Sequence, residues 1–225
     1  MNSRFVARIV LSVGLLACAG AVSGEATACG DEVAPAVDHR IMGVARAEKD
    51  LRDGKYLASA GSVIRMMPDV RSFKVKKDYA LVGRAMRTLA VAVARGDGAL
   101  ALDKEVDAGT LKGWGGKTAE DRAANLQWAA STMTALDGLK KDDAGVKTDL
   151  AEVLSHVEGR QDEAMKMLSE LADKDLMTSA EGYAALAGLR DRAGDQTGRQ
   201  AAASKCEAMT KNAAICGKTA PSGRS

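Results

Sequence analysis

The amino-acid sequence predicts an all-α protein, a short α-solenoid of stacked antiparallel helical hairpins that follows an N-terminal signal peptide. Three observations carry this expectation. Aromatic residues make up only 3% of the chain beside abundant Ala, Leu and Met, and sheets draw on aromatic and β-branched residues whereas Ala and Leu favour helix. Apolar residues recur at helical spacing along most of the sequence. A Gly-containing turn also recurs: Gly159-Arg160-Gln161-Asp162-Glu163-Ala164 lies between two amphipathic stretches, and Gly194-Asp195 follows 35 residues later. A period of about 34 residues built from helix, turn and helix suits a stack, because one hairpin cannot bury its apolar face alone.

The first segment reads as an export signal. Arg4 and Arg8 form a positive start, Ile9 to Val22 an apolar run, and Ser23 to Ala28 a polar stretch ending in Ala26-Thr27-Ala28, which places cleavage after Ala28. The apolar run is shorter than the roughly 20 residues a membrane span requires, so no membrane span is expected after cleavage. Leu15-Leu16-Ala17-Cys18 resembles a bacterial lipobox, and lipid attachment at Cys18 is the alternative. Either route puts the protein outside the cytoplasm, in the periplasm or cell envelope of a bacterium or secreted.

Cleavage after Ala28 leaves Cys29, Cys206 and Cys216, and export favours an oxidised pair. On one uninterrupted helix Cys206 and Cys216 would stand about 15 Å apart, too far for a disulfide, whose Cα atoms lie roughly 4.4 to 6.8 Å apart. A bond between them requires the chain to turn back, and Lys211-Asn212 offers the place. Three free or variably paired thiols are the alternative.

Residues 29–37 carry Gly30 and Pro35 without periodicity and read as an extended leader. The helical-hairpin domain spans residues 38–216, with Asp38 as a candidate N-cap. Ile41, Val44, Ala45 and Leu51, then Leu57, Ala60, Val63, Ile64 and Met67, trace two apolar stripes either side of Asp53-Gly54-Lys55, and Pro68 closes this hairpin. A basic linker, residues 71–77, leads to the most apolar helix, Tyr79 to Arg95, which is expected near the centre. Gly96-Asp97-Gly98 breaks it, and a shorter helix is expected from Ala99 to Val106. Thr118-Ala119-Glu120-Asp121 is a capping-type start for a helix reaching Gly138. Val146 to Val157 with Glu163 to Leu171, and Ala180 to Ala193 with Gln196 to Met209, form two further hairpins. Residues 217–225 read as a disordered tail.

At Gly159 to Leu171 the sequence resembles the turn and second helix of a tetratricopeptide repeat, with Ala164, Leu168 and Leu171 at the positions where a small residue and two apolar residues pack. Tyr183 and Leu186 are similar to the first-helix aromatic and leucine of the following unit, Gly194-Asp195 to its turn, and Gly54-Lys55-Tyr56 to a further copy with Ser59 at the small position. The interval from Gly54 to Gly96 is 42 residues, so the copy is degenerate. The resemblance implies a stack whose concave face, lined by first helices, receives an extended peptide or a partner helix. It nominates Lys147, Glu152, His156, Arg190 and Trp128 as candidate partner-surface residues.

Little points to chemistry. The 32 basic and 30 acidic residues are interspersed, and no basic block with aromatics suggests nucleic acid. Gly113-Trp114-Gly115-Gly116-Lys117-Thr118 ends like a phosphate-binding loop, but Leu111 stands where the earlier glycine belongs. His39 and His156 lack zinc spacing, and no Gly-x-Ser-x-Gly elbow occurs. No catalytic residue, cofactor or metal is expected. The sequence points to an exported, non-catalytic protein that binds an unidentified protein or peptide through a concave groove. The alternative is a structural or self-associating envelope component, held by lipid at Cys18 or by the odd cysteine. The intact mass of protein isolated from its native envelope is expected to match a chain beginning at Cys29, and an acylated chain beginning at Cys18 would refute cleavage after Ala28.

Overall fold

The computed structural model describes residues 39–76, 80–100 and 114–217, and these residues form helices with no strand among them. The signal peptide, the leader, Asp38, Cys18 and Cys29 lie outside the described residues, as do nearly all of the expected helix from Ala99 to Val106 and residues 218–225 of the tail.

Helices α1 (His39–Arg52) and α2 (Tyr56–Met66) form the first hairpin, where Ser59 Oγ–H donates to the Ala47 carbonyl at 2.8 Å within the contact. A short 3-10 turn, Pro68–Ser72, follows with Pro68 in its first turn, a position where the missing N–H costs nothing. Then come α3 (Ala80–Arg95), α4 (Ala119–Leu139), α5 (Ala144–Ser155), α6 (Gln161–Asp173), α7 (Ala180–Arg192), α8 (Gln196–Met209) and the four-residue α9 (Ala213–Cys216).

Local chemistry accounts for most of these boundaries. Thr118 and Asp121 form a reciprocal capping box at the start of α4. Asp143, Ser179 and Asp195 each accept a backbone N–H two or three residues into α5, α7 and α8, meeting donors that a helix start leaves unpaired. The ends of α1 and α7 share one closure. Lys55 N–H donates to the Asp50 carbonyl at 2.8 Å and Asp195 N–H to the Arg190 carbonyl at 2.9 Å, each across a glycine at positive φ, Gly54 at 76° and Gly194 at 79°. This is the closure that favours glycine after a helix. Asp97 and Asp175 adopt the same conformation, both at φ 54°, after α3 and α6.

Each α-helix packs on the next in chain order, and the odd-numbered helices also touch one another: α1 on α3, α3 on α5, α5 on α7 and α7 on α9. No pair of even-numbered helices makes a comparable contact among the described residues. Helix α3 meets α1, α2, α4 and α5. Its Ala85, Met86, Leu89, Ala90, Ala92, Val93 and Ala94 are all buried, which matches the central place expected for the most apolar helix.

The last turn of the chain explains the cysteine pair. Helix α8 stops at Met209, Thr210 is extended, and Asn212 caps α9. The Cα atoms of Cys206 and Cys216 are thereby 5.8 Å apart and their sulfurs are bonded.

Leu89 is fully buried where four neighbouring helices meet α3. Leu89→Ala is expected to lower unfolding free energy by about 2–5 kcal/mol in chemical denaturation, whereas Lys166→Ala on the exposed face of α6 should stay within about 0.5 kcal/mol of wild type.

Candidate functional site

The odd-numbered helices bring together a group of charges that begins with Arg95 at the end of α3. Its side chain is only 10% exposed. Nε and Nη2 donate to Glu152 Oε1 and Oε2 at 2.7 and 2.9 Å, and Nη1 donates to Glu181 Oε1 at 2.7 Å. The planar fork of arginine suits this bidentate engagement, and it ties α3 to both α5 and α7. The guanidinium carbon also lies 5.9 Å from the centre of the Tyr56 ring, within cation–π range. Burial works against the charge on Arg95, but the carboxylates of Glu152, Glu181 and Asp149 outweigh it and raise its pKa. Burial raises the Tyr56 phenol, with Arg95 opposing.

One helical turn before Glu152, Asp149 accepts from Arg87 Nε at 2.6 Å. Burial pushes its pKa up to about 6, and the Glu152 carboxylate pushes the same way against the pull of Arg87. Two acids three positions apart share one face of a helix, so α5 presents both to Arg87 and Arg95 of α3.

Beside this ion network is a cavity of about 200 Å³ lined by Tyr56, Arg95, Asp97, Glu152, Ser155, His156, Gln161, Glu181, Ala184, Ala185, Arg192 and Ile215. Its charged floor is Arg95 with Glu152 and Glu181, and its apolar side is Ala184, Ala185 and Ile215. His156, which caps α5, has Nδ1 4.0 Å from Asp97 Oδ1, and His156 holds the Asp97 carboxyl below its usual range. The cavity can take a ligand of a few non-hydrogen atoms, or one side chain of a longer segment, between charged and apolar walls.

A second polar anchor lies on α4. Arg71, expected in a basic linker, stacks 4.6 Å over the Trp114 ring and donates Nη1–H to Asn125 Oδ1 at 3.0 Å. Buried Asn125 donates to the carbonyls of Gly98 and Gly115 at 3.0 and 2.6 Å. The Trp114 and Trp128 rings meet edge to face at 4.9 Å. The stretch Trp114 to Thr118 therefore packs and caps a helix.

Of the sequence-nominated surface residues, the cavity gathers only Glu152 and His156. Glu152 is 2% exposed and bound by Arg95, so its place as a free surface residue is corrected: the arginine 57 positions earlier satisfies the carboxylate and permits its burial. Arg190 donates to the Gly198 carbonyl at 3.1 Å and braces the α7–α8 turn. Trp128 is half-buried against Trp114, and Lys147 borders a separate recess with Met167 and Leu176 between α5 and α6. Cys206 and Cys216 are joined, and Cys18 lies outside the described residues. Sequence reasoning missed Tyr56, Arg95, Asp97, Glu181 and Arg192. The available signal was the pair Asp149 and Glu152, three positions apart on α5. Among the described residues no group of His, Cys, Asp or Glu is arranged to hold a metal ion. No protein-family model matches the chain, and no curated protein or solved structure is detectably similar to it.

Asp149 makes stability depend on pH. Its folded pKa of about 6 stands above the ordinary aspartate value of 3.8, so between these limits the native chain holds a proton that the unfolded chain has lost. Stability from this group is therefore present below pH 3.8 and is lost as pH rises through about 6. In urea titrations from pH 4 to 7, wild type is expected to lose about 1–3 kcal/mol relative to Asp149→Asn. An unchanged difference across that range would refute the assignment.

Proposed function

We propose that this is an exported, non-catalytic helical-repeat protein, tetratricopeptide-like, that binds a polypeptide in a concave groove formed by its odd-numbered helices. One observation supports the reading above others: α1, α3, α5 and α7 contact one another in succession, while among the described residues no pair of even-numbered helices makes a comparable contact. In a stack of hairpins, that pattern puts first helices on the inner layer, where a short α-solenoid offers its binding face. The cavity at Arg95 opens among α2, α3, α5 and α7, and it supplies a pocket of the kind that gives such a groove selectivity for side chains. Among the described residues no helix is long and apolar enough to cross a membrane, which accords with action in the periplasm or envelope.

Self-association of an envelope component is the second reading. Ile41 and Met42 on α1 are 50% and 61% exposed, and two adjacent exposed apolar side chains are what a second copy could cover.

Ala185 borders the cavity outside the ion network, so Ala185→Arg fills it without breaking an ion pair. Mature wild-type protein is expected to retain a specific polypeptide from envelope extract, and Ala185→Arg should weaken that binding at least about tenfold with unchanged helical content and denaturation midpoint. Equal retention by both proteins would remove the groove from the proposal. A concentration-dependent dimer that is lost in Met42→Asp would favour self-association instead.

A further inference from the structure

Helix α9 has four residues and none of them is buried, yet its Ile215 forms part of the cavity wall. So short a helix has no stability of its own. The hydrogen bonds of the segment stay local. Thr210 N–H donates to the Cys206 carbonyl at 3.2 Å, Asn212 N–H to Thr210 Oγ1 at 3.1 Å, Ala214 N–H to Asn212 Oδ1 at 3.1 Å and Gly217 N–H to the Ala213 carbonyl at 2.9 Å. No hydrogen bond or ion pair links α9 to α7 among the described residues. Among the described residues, α9 is kept in place by the Cys206–Cys216 bond to α8 and by the apolar packing of Ile215 and Cys216 against the core. The two ends of that bond differ: Cys206 is fully buried on α8, and Cys216 is only partly covered.

We propose that the Cys206–Cys216 disulfide is a redox latch on the cavity. With the bond formed, α9 keeps Ile215 in the wall. With the bond reduced, α9 leaves α7 and the cavity opens on that side. The step is thiol–disulfide exchange with a dithiol reductant. One thiolate of the reductant attacks the Cys216 sulfur, and the protein S–S bond breaks with its electron pair passing to Cys206, which takes up a proton. The second thiolate of the reductant then attacks the mixed disulfide and releases Cys216, which is protonated in turn. The reductant departs as its own disulfide, so two electrons and two protons have passed to the protein. Helices α7 and α8 stay joined by their own packing, in which Leu186, Leu189, Ala202 and Cys206 are buried. The latch therefore acts on α9 alone. It concerns the wall of the cavity and holds whatever the cavity receives.

The test uses the mature chain carrying Ala185→Cys as a reporter, in the otherwise wild-type background and in one that also carries Cys206→Ser and Cys216→Ser. A small maleimide is the probe, and labelling is resolved by peptide so that Cys29 does not interfere. Labelling at position 185 is expected to be about tenfold faster without the disulfide, with faster amide exchange at residues 213–217 and unchanged exchange in α1 to α6. Ile215→Ala with the disulfide intact should speed labelling while leaving exchange in α9 slow. Equal labelling in the two backgrounds would overturn the latch. So would loss of protection throughout α5 to α8 without the bond, because the disulfide would then be a staple of the fold.

Discussion

A guanidinium removed from water and gripped by carboxylates from two other helices sets the relation among the odd-numbered helices. Arg95 satisfies both oxygens of Glu152 and one of Glu181. Net stabilisation from such a group is small, because desolvation offsets most of the attraction, but losing one partner costs about 3–5 kcal/mol. That asymmetry gives the contact its selectivity. Sliding α5 by one turn along α3 would displace Glu152 by about 5.4 Å and leave Arg95 buried without its acid. The alanines of α3 would tolerate the same slip, since Ala85, Ala90, Ala92 and Ala94 present much the same small surface at each turn.

Apolar packing and polar anchoring thus divide the work. Leu89, Met86, Val93, Leu154, Leu168 and Leu186 are almost wholly buried and supply the driving force, at roughly 25 cal/mol per Å² of apolar surface removed from water. The polar anchors choose among the arrangements this force would permit. Arg95 does so across α3, α5 and α7. Asn125 does so on α4, where two backbone carbonyls and the Arg71 guanidinium engage its amide. Arg95, Glu152 and Asn125 all have partners, the condition under which burial is tolerated, whereas Trp114 Nε1 is buried with no hydrogen-bond partner among the described residues.

Helix spans were legible because they rest on local information. Periodic apolar residues, the Thr118 capping pattern, the Gly54 and Gly194 turns and Pro68 each act within a few positions. The candidate site was much less legible, because its partners are remote in sequence. An acid on a helix defaults to solvent, and nothing near Glu152 announces an arginine 57 residues earlier. Arg71 sits in a run of basic residues that resembles a solvated linker, and only Trp114 and Asn125, both distant, give it a place. Arg190 reads as surface until the α7–α8 turn brings the Gly198 carbonyl to it. For Cys206 and Cys216 the spacing left both outcomes open, and the end of α8 at Met209 with the Asn212 cap of α9 decided between them.

The charges around the cavity fall into two groups with different freedom. Glu152 and Arg95 are used up in holding helices together, and changing either disturbs packing before it disturbs recognition. Arg192 lines the same cavity and makes no ion pair among the described residues, while Asp97 is 61% exposed and faces His156 across 4.0 Å. Such side chains can turn toward an incoming group without loss to the fold. A ligand of the proposed groove would therefore meet a fixed floor that sets depth and shape, and a rim of Arg192, His156 and Asp97 that can match its charge. Because exposed charges act through solvent and are screened by salt, the rim would tune selectivity and the rate of encounter. The apolar side formed by Ala184, Ala185 and Ile215 would set how large a side chain can be buried.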